Sequence, residues 1–428
     1  MIKTIDTAVN LNLATITIPQ CAIAKGLITV DLHETNSIKD QAVFECFGDL
    51  LLSGTSTLTR EELLDKLNLL GSSIDTHITD GVLTLEISST QKSWKKTLEL
   101  VNDILTNPIF TAKELKRATK LAFNNLNDEK ENSKAIALDA FKNDFFSTSD
   151  RRSSAELQTV QTMLVKLTNK DIKEMFARMF TRPWVTSVTS DKPACLAFAK
   201  LVTKQTASIV TDTNFKPTSS TPPKPQKLVL NDIPSRQNLD IQIGCPIALK
   251  PGDAEFAALT FGVAVLAKWG GFAGRLMSIV REQEGLTYGI YGRLDGYSKV
   301  ETGYFRIETF FSPAQVSQGL QSTFREIKRI YTRGITDAEY TSFKIIMETQ
   351  LIMRNDSPVA SIKILHEFNK LGFTIDQIEA YEAQLRSVTK TEVTSAIKKY
   401  LDPKQMIISA AGPTKQVTKE LLALSTKL

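Results

Sequence analysis

The chain has 428 residues, 42% of them hydrophobic and 23% charged, with a formal net charge of +5. That length exceeds what one hydrophobic core usually serves, so two domains of roughly 200 residues are expected. No run of about 18 apolar residues exists, which argues against a membrane-spanning helix, and the mild, interspersed charge argues against a nucleic-acid surface.

In chain order, Met1-Ile2-Lys3-Thr4-Ile5-Asp6 alternates polar and apolar residues without the basic, apolar and small-residue regions of a secretory leader. Cys21, Cys46, Cys195 and Cys245 lie far apart and form no Cys-x-x-Cys pair, a pattern of reduced thiols. A cytoplasmic protein is expected, with the periplasm as the alternative for a precursor trimmed of its leader. Ala22 to Leu32 reads as an opening strand and Val82 to Ile87 as a half-buried one. Ile74 to Thr79 reads as an edge strand able to take an extended peptide along Ile74, Thr76 and Thr79, or equally as a plain hairpin-flanking strand. Thr111, three residues before Glu114, opens a helix with capping-box spacing. A further amphipathic helix, Ile172 to Phe180, runs into a proline and the β-rich stretch Trp184 to Val188.

Lys216 to Pro225 has no apolar periodicity, and its prolines favour an extended linker. Beyond it the pattern repeats. Leu239 to Ala248 and Tyr304 to Phe310 read as strands, and Val393 to Leu401 is an amphipathic helix before a proline and the β-rich Met406 to Ala410. Thr336 precedes Glu339 as Thr111 precedes Glu114, an offset of 336 − 111 = 225. The Thr168 and Thr389 segments pair at 389 − 168 = 221. Two offsets this close mark an internal duplication. The expected fold is α+β, used twice: residues 1–210, a linker over 211–227, and residues 228–428. Two such domains on a tether can close like a clam around a chamber.

Histidine is scarce: only His33, His77 and His366 occur, and no His-Glu-x-x-His or His-x-x-Glu-His is present. Serine-nucleophile, phosphate-loop and dinucleotide fingerprints are likewise missing. One segment stands out, Trp269-Gly270-Gly271-Phe272-Ala273-Gly274-Arg275-Leu276, followed by Arg281-Glu282-Gln283-Glu284-Gly285-Leu286-Thr287-Tyr288. Gly270 and Gly271 permit close backbone approach, as to a bound substrate. Gly274 to Gln283 reads as a short helix stopped by Gly285, and Leu286 to Tyr291 as a strand. Arg281 and Tyr288 can then share a cleft, where a guanidinium and a phenol would clamp a peptide carbonyl. A structural Arg and a packed Tyr fit the same residues.

Gly-Gly-x-x-x-Arg-Leu followed by Arg-Glu-x-x-Gly-Leu-x-Tyr resembles the second-half signature of the pitrilysin/insulin-degrading-enzyme family, which includes the mitochondrial processing peptidases. The resemblance runs through both halves. It implies that Arg281 and Tyr288 reach an active site, where the Tyr stabilises the scissile carbonyl as an oxyanion. It also implies a first-half His-x-x-Glu-His on a helix before a Gly-Thr loop, with a downstream Glu completing the zinc ligands. The loop is Leu52-Ser53-Gly54-Thr55, and the family's spacing puts Glu45 and Asp49 in the two His positions and Gly48 in that of the catalytic Glu. The downstream ligand falls near Leu121 to Asn124, where no carboxylate stands. Glu45 and Asp49 share a helix face but make a weak zinc site, and Cys46 points into the core.

No metal is therefore expected in this chain, and hydrolysis lacks both its Lewis acid and its base. The resemblance implies a non-catalytic subunit that binds peptide and presents Arg281 and Tyr288 to a partner bearing His-x-x-Glu-His and zinc, as a heterodimer. The alternative is a non-proteolytic scaffold or peptide-binding homologue that self-associates.

Overall fold

The first sheet opens on a hairpin that the sequence reading did not resolve: β1 (Ile2–Ala8) pairs antiparallel with β2 (Leu11–Thr17). Its start shows the alternation of a strand half-buried on one face. The computed structural model describes residues 2–209, 225–268, 273–354 and 356–425. Most of the expected linker, and both Gly270 and Gly271, lie outside the described residues.

The first half continues with β3 (Ile23–Asp31), α1 (Ile38–Leu51), α2 (Arg60–Leu69), β4 (Ser73–Thr79) and β5 (Val82–Thr90). Four helices follow: α3 (Trp94–Thr106), α4 (Ala112–Glu129), α5 (Ser133–Phe145) and α6 (Leu157–Leu164). It closes with α7 (Asn169–Arg178), β6 (Trp184–Ser190) and α8 (Lys192–Thr206). The second half has β7 (Leu228–Asp232), β8 (Leu239–Pro246), α9 (Phe256–Ala267), β9 (Ile290–Asp295) and β10 (Tyr304–Phe311). After α10 (Val316–Arg333) come α11 (Asp337–Met353), α12 (Pro358–Lys370), α13 (Ile375–Ser387) and α14 (Lys390–Tyr400). β11 (Ile407–Gly412) and α15 (Thr418–Ser425) end the described chain.

The first sheet runs β1-β2-β6-β3-β5-β4 and the second β7-β11-β8-β10-β9. Strand for strand, β2-β6-β3-β5-β4 repeats as β7-β11-β8-β10-β9, with the parallel pair in the same place each time. The fold is therefore α+β, with one topology used twice. Each half encloses its own large apolar core. The helix starts also repeat. At α11 the Thr336–Glu339 capping box is complete. At α4 only half of it forms: Thr111 accepts from the Glu114 amide, while the Glu114 carboxylate turns to Arg117 at 2.7 Å.

The halves interlock. α12 of the second half packs on β2, β3 and β6 of the first sheet, and α5 of the first half packs on β8, β11 and β7 of the second. The two helices begin 358 − 133 = 225 residues apart, the offset of the helix caps. Under α12, buried His366 spends both ring nitrogens on the opposite half, with Thr29 Oγ1 at 2.8 Å and Ser187 Oγ at 2.7 Å. Burial holds this imidazole neutral, its pKa pushed down to about 3. Elsewhere on the seam Arg152 donates to the Gly296 and Thr302 carbonyls at 2.9 and 2.7 Å, its guanidinium stacked 3.7 Å over Phe146.

Candidate functional site

The residues that the resemblance sets in the metal motif lie on α1, whose first turn is capped by Ser37 accepting from the Asp40 amide. Asp49, in the second His position, faces α4 and forms an ion pair with Arg117, with Arg60 of α2 at 3.4 Å. A cation thus neutralises the carboxylate from the very helix on which the resemblance sets the downstream metal ligand. Gly48, in the position of the catalytic Glu, is buried beneath β4: a Cβ built there would stand 2.9 Å from Thr76 Oγ1. Glu45, one turn before Asp49, is exposed to solvent. Desolvation, helped by the Glu129 and Asp139 carboxylates, pushes its pKa up to about 7. Cys46 packs inward, its Sγ against the Ala42 and Val43 carbonyls, and burial pushes its pKa up to about 12.

These residues do not fit zinc. The carboxylate at 49 is engaged by two guanidiniums, the space above 48 is filled by Thr76, and the only other donor is a partly protonated acid. Among the described residues no group of three His, Cys, Asp or Glu side chains is placed to hold a metal. The three histidines sit apart: His33 buried beside Gly81, His77 on exposed β4, and His366 in the seam. Sequence reasoning missed Arg60 and Arg117, and gave Thr76 to a peptide-binding strand edge rather than to the space over Gly48. The signal for Arg117 was available, since it lies one helical turn before Leu121, where a group facing Asp49 was expected.

In the second half, the expected short helix is a π-helical turn, Met277–Gln283, and Gly285 stops it at φ 63°. The expected strand from Leu286 is corrected: pairing with β10 begins only at Ile290. The physical reason is Thr287, whose hydroxyl donates to the Phe310 carbonyl at 2.7 Å and takes the place of a backbone ladder bond. Glu284 pins the turn to α10 through Arg325 at 2.6 Å. The resulting loop holds Arg281 and Tyr288 together, with the guanidinium carbon 5.0 Å from the ring centre. Tyr288 is 74% exposed, which sets aside the packed-Tyr alternative. Among the described residues the Tyr288 phenol makes no hydrogen bond.

β4 is an edge strand of its sheet. Along it Ile74 is buried toward the helices and Thr76 lies against Gly48, while His77 and Thr79 face a chamber of about 890 Å³ between the halves. The equivalent edge strand β9 supplies Gly292 to Asp295 to the same chamber. Arg281, Tyr288, Glu45 and Asp49 are not among the described residues lining it.

Residues 47–157 match the family described as Insulinase (Peptidase family M16), and residues 197–347 match the Peptidase M16 inactive domain. A Helicobacter pylori protein named "Non-peptidase homolog YmxG" is 22% identical over 396 residues, covering 88% of this chain and 86% of its own. The fold matches the crystal structure of a peptidase M16 inactive domain from Pseudomonas fluorescens with a TM-score of 0.79 and 17% identity, over 97% of this chain and 99% of that one. It also matches the structure of a protease from Helicobacter pylori with a TM-score of 0.78 and 12% identity, over 96% and 99%.

Proposed function

The chain belongs to peptidase family M16, as a member without the catalytic motif, and from that premise we propose that it is the non-catalytic subunit of a two-chain peptidase. The partner is a relative carrying His-x-x-Glu-His and zinc. This chain contributes Arg281 and Tyr288 to peptide bound at the shared site, and Tyr288 donates to the scissile carbonyl as it gains charge. The observation that carries the reading is the asymmetry between the two half-sites. The metal half is filled internally by Arg117 and Thr76, while Tyr288 beside Arg281 stands 74% exposed with its phenol open.

No helix among the described residues is long and apolar enough to cross a membrane. The four free cysteines favour a reducing compartment, so we place the pair in the cytoplasm.

The test is reconstitution. The lone chain is expected to hydrolyse no peptide, and mixing it with a family member bearing His-x-x-Glu-His should give a stoichiometric complex by light scattering and a peptidase rate absent from either chain. A homodimer that ignores every such relative would instead support the self-associating scaffold.

A further inference from the structure

The chamber between the halves is built from helix faces. α9 presents Phe256, Thr260 and Val263, spaced i, i+4, i+7, and α11 presents Met347 and Gln350, with Arg354 at its C-terminal cap. The apolar part is aromatic: Phe256 lies 5.4 Å from Tyr297 and 6.2 Å from Tyr381. A cavity of about 890 Å³ lies near the upper end of the range for pockets that enclose a small ligand.

Most charges on its walls are paired. Arg151 meets Asp31 at 2.8 Å, Arg293 meets Asp295 at 2.6 Å, and Lys370 meets Glu367 at 2.7 Å. Three are not. Arg354, Lys268 and Asp80, the last on the first half's wall, make no ion pair with another described residue. Arg354 Nη1 is also shut off from solvent and has no hydrogen-bond partner among the described residues. Tyr381 and Arg354 line the same chamber. An unsatisfied buried donor in a cavity wall is a place where an acceptor belongs.

A ligand matching these walls has an apolar body, an anionic end and a cationic end. A short peptide with free termini and a hydrophobic last residue has all three. We propose that the chamber binds the C-terminal carboxylate of such a peptide at Arg354, with its last side chain against Phe256 and Tyr381. This site belongs to the single chain and stands whether or not a catalytic partner exists.

Calorimetry on the full chain alone, with a short peptide ending in Phe offered as free acid and as C-terminal amide, tests it. The acid is expected to bind at least about tenfold more tightly than the amide, the margin of one charge-assisted contact. Arg354→Gln should abolish the difference, and Arg354→Lys should keep part of it. Equal affinity for acid and amide, including no binding of either, overturns the proposal, and this comparison uses the unaltered chain, so it holds even if a variant misfolds. A preference that survives Arg354→Gln overturns it too. Decanoate binding more tightly than the peptide acid would mark a site for apolar anions instead.

Discussion

Arg117 of α4 forms an ion pair with Asp49 of α1, tying together by charge the two helices that a metal would join in a catalytic relative. The pair is partly exposed, at 32% and 27%, so screening limits its worth. Asp49→Ala should still cost about 1–2 kcal/mol, because it strips both Arg117 and Arg60 of a charged acceptor. Urea denaturation of the variant measures this, and a change within about 0.3 kcal/mol would mean that the pair is ornamental.

The same geometry bears on attempts to restore catalysis. Converting Glu45→His, Gly48→Glu and Asp49→His together should not create a zinc protein. Arg117 would then press its charge on the new ligands with Glu114 as its remaining partner, and the side chain at 48 would collide with Thr76. Metal analysis of the purified variant should find far less than one zinc per chain; stoichiometric zinc would contradict this account.

Glu45 and His366 should tilt stability against pH in opposite directions. Glu45 has a folded pKa of about 7, above the unfolded carboxyl value near 4.3, so the native state holds the extra proton and stability falls as pH rises between them. Glu45→Gln should flatten that fall, seen as a gain in melting temperature at pH 8 relative to pH 4.5.

His366 behaves in reverse. Its folded pKa of about 3 lies below the unfolded value near 6.5, so its share of stability is intact above about pH 6.5 and is lost as pH drops toward 3. His366→Gln should lose less stability between pH 7 and 4 than the parent does. Identical slopes would mean that the seam under α12 does not exclude the proton.

The duplication was legible in the sequence because helix caps and amphipathic helices are local grammar: Thr111 and Thr336 can be read without knowing what they pack on. The positions that the resemblance assigns to the metal motif come from counting back from Gly54, and rest on that resemblance alone. The exchange of α5 and α12 was not legible, since it depends on which sheet each helix covers and nothing local records that. Nor was the loop at Tyr288, where the Thr287 hydroxyl replaces a ladder bond and breaks the strand that its neighbours favour. A chamber was expected, but its lining escaped for a similar reason: Arg354 and Asp80 lie 274 residues apart in sequence (354 − 80) and meet one cavity only through the fold.

The central claim, that Tyr288 serves a partner's active site, is tested most directly by the turnover of the reconstituted pair with Tyr288→Phe in this chain. Losing one oxyanion donor should lower kcat by about 10²–10³-fold with little change in KM. An unchanged kcat in a correctly assembled pair would contradict it.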